Sequence, residues 1–195
     1  MNVGLYFGTF NPIHVGHLII ANHMAEHTNL DEVWLVVSPQ NPFKQKKTLL
    51  EDYHRYQLVQ IATEDFPNLN PSKIEFNLPK PSYTVNTLAH LSEAYPQHNF
   101  NLIMGEDNLN SFHKWKNYEF ILENYHLYVY PRLSNTLKNE ALSDYSHIHF
   151  VEAPVIEISA TQIRQGIAQN KEVRPLLPCK VWQYIDEMNF YKQNK

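Results

Sequence analysis

Apolar and polar positions fall in blocks along this chain of 195 residues, and the period changes from block to block. Val3-Gly4-Leu5-Tyr6-Phe7 is nearly all apolar, and so are Val33–Val37, Phe100–Met104, Leu127–Tyr130 and Ile148–Val151. Short unbroken runs of this kind predict strands buried on both faces. Between them, apolar residues recur every three or four positions. Val15–His27 is expected to be a helix with Leu18, Ile19, Ala21 and Ala25 inward. Leu50–Glu64 is expected to be another, with Tyr53, Leu58, Ile61 and Ala62 on one side, and Thr84–Ala94 a third, with Leu88 and Leu91 inward. Glu106–Leu122 reads as helical or turn-like, Ala160–Ala168 as a short helix and Lys180–Asn189 as a terminal one. Lys73–Phe76 reads as one more short strand. Pro39–Thr48 and Leu78–Ser82 are proline-punctuated loops. Strands that alternate with helices predict a parallel sheet covered on both faces, a doubly wound α/β fold of the Rossmann-like kind. Ligands of such folds bind outside the carboxyl ends of the strands, at the switch point.

Composition narrows the picture. No linker or composition shift divides residues 1–195, so a single domain is expected. Hydrophobic content of 43% with 18% charged residues suits a soluble globular chain. A net charge of −4 supplies no basic field for nucleic acid. The apolar runs fall far short of the ~20 residues that cross a bilayer. The chain enters its first strand without a signal-peptide pattern and has one cysteine, Cys179, which reads as structural or incidental. Both points favour a cytoplasmic location. Of eleven histidines, His23, His27, His54, His90, His98, His147 and His149 are scattered without ligand spacing, and surface or half-buried positions are expected for them.

Glycine points to the chemistry. Only five occur, and Gly4, Gly8 and Gly16 fall where the first strand turns into the first helix. There the chain reads Gly8-Thr9-Phe10-Asn11-Pro12-Ile13-His14-Val15-Gly16-His17. Thr9 and Phe10 make a tight turn, and Asn11-Pro12 sets the angle into the helix. His14 and His17 then lie one helical turn apart, where free N–H groups and the helix dipole attract anions. Imidazoles that charge near neutral pH would add to that attraction. The string is neither G-x-G-x-x-G nor a Walker A loop, so neither a redox dinucleotide nor a P-loop nucleotide is indicated. A metal site is weakly indicated, because no Cys or acidic third ligand stands nearby.

The second string is Ile158-Ser159-Ala160-Thr161-Gln162-Ile163-Arg164. Ser159 with Gln162 is a capping box, so a helix starts here with Thr161 and Arg164 on its first turns. A helix N-terminus, two hydroxyls and an arginine make a second anion site. The two strings together hold the parts of a triphosphate clamp.

Both strings resemble the paired signatures of the nucleotidyltransferase superfamily with (T/H)xGH and ISxTxxR motifs. Within it the chain is similar to the bacterial nicotinate-nucleotide adenylyltransferases. Pro81-Ser82-Tyr83-Thr84-Val85-Asn86-Thr87-Leu88 resembles that group's P-S-Y-T-x-x-T-L segment, and Ile103–Leu109 its I-x-G-x-D-x-L. Pro39–Lys44 looks like its proline-rich loop, and Trp115 falls at its tryptophan. The chain departs from the family at Asn11, Glu106 and Ala160.

The resemblance implies transfer of AMP from ATP to nicotinate mononucleotide, giving nicotinate adenine dinucleotide and pyrophosphate. It implies that Gly8, Thr9, Phe10, His14 and His17 lie against ATP. His14 and His17 would stabilise the transferring group, while Ser159, Thr161 and Arg164 hold the leaving phosphates. Asp107 would bond a ribose hydroxyl and Gly105 would admit adenosine. Lys44, Tyr83, Thr84 and Trp115 would meet the mononucleotide, with Trp115 stacked on the pyridine. Mg²⁺ would arrive with ATP. No nucleic acid or membrane partner is expected, and a homo-oligomer is left open. Rival readings are an acceptor such as nicotinamide mononucleotide or phosphopantetheine, a nucleotide sensor without turnover, and a redox enzyme. The missing glycine fingerprint argues against the last.

Overall fold

In the computed structural model of the chain, residues 1–39, 49–133 and 145–193 are described. Among them are six strands: β1 (Asn2–Gly8), β2 (Glu32–Val37), β3 (Leu69–Ser72), β4 (Asn99–Gly105), β5 (Leu127–Tyr130) and β6 (Ile148–Phe150). All pair in parallel, in the order β3-β2-β1-β4-β5-β6. The register runs from Val3 opposite Glu32 to Gly8 opposite Val37 on one side of β1, and from Asn2 opposite Asn99 to Tyr6 opposite Ile103 on the other. Growth of the sheet reverses between β1 and β4, which makes their carboxyl ends the switch point.

Alternation along each strand splits the core in two. Tyr6, Ile103, Tyr128 and Tyr130 face one side, where α1 (Val15–His27), α2 (Asp52–Thr63), α6 (Ala160–Ala168) and α7 (Cys179–Glu187) pack. Val3, Leu5, Leu102, Met104, Leu127 and Val129 face the other, against α3 (Thr84–Ala94), α4 (Glu106–Asn110) and α5 (Tyr118–Asn124). The doubly wound sheet is therefore as expected, and α1, α3, α6 and β5 have the expected bounds. No helix among the described residues is long and apolar enough to cross a membrane.

Several expectations fail, each for a physical reason. Lys73–Phe76 is no strand: Ile74–Asn77 forms a 3₁₀ turn, and the sheet takes Leu69–Ser72 instead. The turn buries Glu75 to 2% exposure. In α1, Ile19 is exposed at 43%, while Ile20 and Met24 are buried. In α2, Tyr53 is exposed at 66%, and Arg55 stands fully buried beside Leu58 and Ala62. The run Glu106–Leu122 breaks into α4, a 3₁₀ turn at Phe112–Lys114, and α5, whose N-cap Asn117 is left-handed at φ 53°.

Candidate active site

β1 delivers the first glycine-containing string to the switch point. Gly8 ends the strand, and a Cβ there would stand 2.8 Å from the Phe10 ring, so the close approach needs glycine. Phe10 takes a left-handed φ of 42° and is buried, with its edge against His17 at 5.1 Å between centroids. Phe10 thus braces a histidine from beneath. His14 is the N-cap of α1 and His17 its third residue, and their rings stack 3.7 Å apart at 26°. A Cβ on Gly16 would stand 3.1 Å from His14 Nδ1, so this glycine gives the imidazole its room.

The backbone N–H of His14 donates to His17 Nδ1 at 3.3 Å. That bond leaves the His17 proton on Nε2, an outward donor. Burial holds His14 down to about 4, helped by the positive charge of Arg132. Burial also lowers His17, followed by the effects of His14 and Arg132. Both imidazoles are therefore neutral at pH 7 in the free protein, which corrects the expectation of charged histidines. They act as oriented N–H dipoles, and an incoming polyanion would raise their basicity.

The second string arrives on α6. Ser159 Oγ accepts from the Gln162 N–H at 3.2 Å, and Gln162 Oε1 accepts from the Ser159 N–H at 3.3 Å, the expected capping box. The N–H groups of Ala160 and Thr161 remain for an anion. Arg164 Nη1 donates to the Asn11 carbonyl at 2.6 Å and Nη2 to Thr161 Oγ1 at 3.1 Å. The two strings, 153 positions apart at this contact, are tied by one guanidinium.

His14, His17, Asp107, Ser159, Thr161 and Arg164 line one cleft with Gly8, Thr9 and Phe10. Gly105 lies behind this wall: a Cβ there would meet Asp107 Oδ1, the Tyr130 ring and Arg132 Nε. A second pocket adjoins the cleft across Gly8, Thr9, Ile103, Met104 and Asn108. Tyr83, Thr84 and Trp115 line it, together with Lys116 and Glu75. Lys116 Nζ lies 4.6 Å above the Tyr83 ring, and Trp115 packs 5.1 Å from Phe112. Lys44 lies outside the described residues.

Besides Lys116 and Glu75, sequence reasoning missed two arginines that shape the site. Arg132 stands two residues beyond the end of β5 and lines the anion cleft. Its backbone N–H donates to Glu106 Oε2 at 3.2 Å, its Nε stands 3.8 Å from Asp107 Oδ1, and its guanidinium lies 5.3 Å from the Tyr130 ring. The signal was a cation just past the proline that ends a buried strand. Arg55 is the other. Nη1 donates to the carbonyls of Thr9 at 2.6 Å and Ser38 at 2.8 Å, Nη2 to Pro39 at 3.3 Å, and Nε to Leu50 at 2.9 Å. Asp52 neutralises it at 2.5 Å. One buried cation thus fastens the turns after β1 and β2. Its signal was a charge in the apolar stripe with Leu58 and Ala62.

Two helix N-termini, two neutral imidazoles and two guanidinium groups surround a cleft at the switch point of a parallel sheet, an arrangement suited to the phosphates of a nucleotide. The cytidylyltransferase-like family matches residues 5–166, and the chain belongs to it. More particularly, it is 62% identical to a probable nicotinate-nucleotide adenylyltransferase of Flavobacterium psychrophilum, over 99% of this chain and 100% of that protein. It is 43% identical to the probable nicotinate-nucleotide adenylyltransferase of Bacteroides thetaiotaomicron, over 96% of this chain and 92% of that one. In fold it is similar to the Plasmodium falciparum nicotinic acid mononucleotide adenylyltransferase complexed with NaAD. The TM-score is 0.83 at 18% identity, over 97% of each chain.

Proposed function

We propose that this chain transfers AMP from ATP to nicotinate mononucleotide, releasing pyrophosphate and forming nicotinate adenine dinucleotide. One observation carries the reading: an anion cleft and an aromatic pocket adjoin at the carboxyl ends of β1 and β4, sharing the wall from Gly8 to Thr9. The first suits a triphosphate and the second a pyridine nucleotide, with their phosphates meeting at the shared wall.

A phosphate oxygen of the mononucleotide attacks the α-phosphorus in line. The new P–O bond forms as the bond to the β-phosphate oxygen breaks, and pyrophosphate leaves with that electron pair. The nucleophile is already an anion at pH 7, so the protein needs no covalent intermediate. Its part is positioning and charge stabilisation. His14 and His17 donate to the transferring group. Arg164, Thr161 and the α6 N-terminus hold the departing phosphates, and Arg132 adds a second cation. Asp107 takes a ribose hydroxyl, and Trp115 stacks on the pyridine.

Among the described residues no three His, Cys, Asp or Glu side chains converge to hold a metal. Asp107 and Glu106 are both turned to Arg132. In this reading Mg²⁺ enters as part of the substrate MgATP, held by phosphate oxygens and water.

The test offers ATP with equimolar nicotinate mononucleotide, nicotinamide mononucleotide and phosphopantetheine, and identifies products by mass. Nicotinate adenine dinucleotide is expected to dominate. A dominant dephospho-coenzyme product, or none, overturns the reading.

A further inference from the structure

One wall of the aromatic pocket is left unexplained by the transfer reaction. Glu75 lines it at 2% exposure, within the 3₁₀ turn Ile74–Asn77. Its Oε1 accepts from Thr87 Oγ1 of α3 at 2.7 Å. Its Oε2 is buried and lacks a hydrogen-bond partner. Ser82 Oγ, on the same wall at 8% exposure, is orphaned in the same way. Between them begins α3, whose N-cap Tyr83 provides no side-chain cap. Buried polar atoms almost always have partners, and two exceptions on one pocket wall mark a place where a ligand supplies them.

We propose that the Glu75 carboxyl is a specificity-determining group of this pocket: Oε2 meets the acidic substituent of the pyridine ring while Oε1 anchors the first turn of α3. The proposal rests on the mononucleotide reading above.

The charge logic selects the state of the acid. Burial raises the Glu75 pKa, against the hydrogen bond from Thr87 and the polarity of the nearby Ser38 side chain. The other titratable groups on the described pocket wall are Tyr83, at the start of α3, and Lys116, drawn over the Tyr83 ring. The residues contributed to this wall by β1, β4 and α4, and by Thr9 and Ser38 just after β1 and β2, carry no charge. A carboxylate at Glu75 would repel a substrate carboxylate. A carboxylic acid donates its O–H to it, and a hydrogen bond to a charged acceptor is about twice as strong as a neutral one. A carboxamide offers that donor only its neutral oxygen. A substrate carboxylate bound against Glu75 disfavours a second charge there and so helps it keep its proton; the preference for the acid substrate holds while that proton stays and falls as rising pH removes it.

The experiment is competition between equimolar nicotinate and nicotinamide mononucleotides at fixed ATP, read as product ratio from about pH 6 to pH 9. Phosphate and histidine titrations act on both substrates alike and cancel in the ratio. In the wild type the preference for nicotinate is expected to fall at least about fivefold across that range. Glu75→Gln keeps an acceptor for Thr87 and a fixed N–H donor. Its ratio at pH 7 is expected within about threefold of wild type and independent of pH. A flat wild-type ratio overturns the proposal, whether or not the variant folds. So does a Gln variant that keeps the wild-type pH slope. So does one whose nicotinate preference rises by more than about tenfold, because Glu75 was then a repelling anion. Failure of the wild type to make a dinucleotide from either mononucleotide refutes the underlying reaction instead, and is seen before any variant is compared.

Discussion

The anion cleft and the aromatic pocket share a wall, yet they are made differently. The cleft is assembled from helix ends and charged tips: α1 and α6 bring free N–H groups, and Arg132 and Arg164 bring guanidinium groups. Its donors belong to the backbone frame, and its fit is to charge. The pocket is assembled from connections, the 3₁₀ turn at Ile74–Asn77, the turn into α3 and the segment around Trp115. Its fit is to a ring and one substituent. The difference teaches where each kind of recognition belongs. Phosphate, common to every nucleotide, is met by structure the fold supplies anyway. The distinguishing ring is met by loops, whose side chains can change without moving the sheet.

The sharpest way to break this contrast is at His17. His17→Ala removes a donor that faces charge developing in transfer, and kcat is expected to fall by about 10²–10³ with little change in either KM. Steady-state rates on the folded variant check it. A loss confined to KM would turn the cleft into a mere binding surface.

The next effect appears in stability. His14 is neutral and buried, with its pKa held near 4. The unfolded chain binds a proton on this residue near pH 6.5, so it takes up more protons than the folded one between those values. Stability supplied by the neutral group is therefore complete above about pH 6.5 and lost as pH falls, by about 3 kcal/mol by pH 4. Denaturant titrations at several pH values test this, and His14→Asn should flatten the slope. Pyrophosphate should take up protons as it binds near pH 6, which calorimetry in buffers of different ionisation enthalpy reads directly.

Arg164→Lys comes third. A point charge cannot span the Asn11 carbonyl and Thr161 Oγ1 as the fork does. kcat/KM for ATP is expected to fall about tenfold with nearly unchanged melting temperature. An intact kcat/KM would make the fork a structural strut alone.

The smallest effect sharpens the other side. Trp115→Ala is expected to raise the KM of nicotinate and nicotinamide mononucleotides alike, by about fivefold, leaving their ratio unchanged. A changed ratio in competition assays would give the indole a share in discrimination that stacking alone does not provide.

Much of the molecule was legible in the residues. Short apolar runs marked the strands, because a strand covered on both faces has no polar side to show. The bounds of α1, α3 and α6 were readable because histidine, proline and serine signals stand at their starts. The two strings were readable as anion sites because a helix N-terminus is a local object, fixed by neighbours in sequence. What stayed hidden was decided by contacts distant along the chain. Glu75 fell within an expected strand, and only the 3₁₀ turn packed against α3 buries it. Tyr53 looked like core, but the face α2 presents is set by Arg55, whose carbonyl partners lie in other loops. The protonation of His14 followed burial and then the distant Arg132, and that of His17 followed burial, then His14 and Arg132. Local propensity and periodicity could state which elements form. Only tertiary packing could state which charges lose their water, because desolvation depends on everything that closes around a group, and most of what closes around these groups lies far away in the sequence.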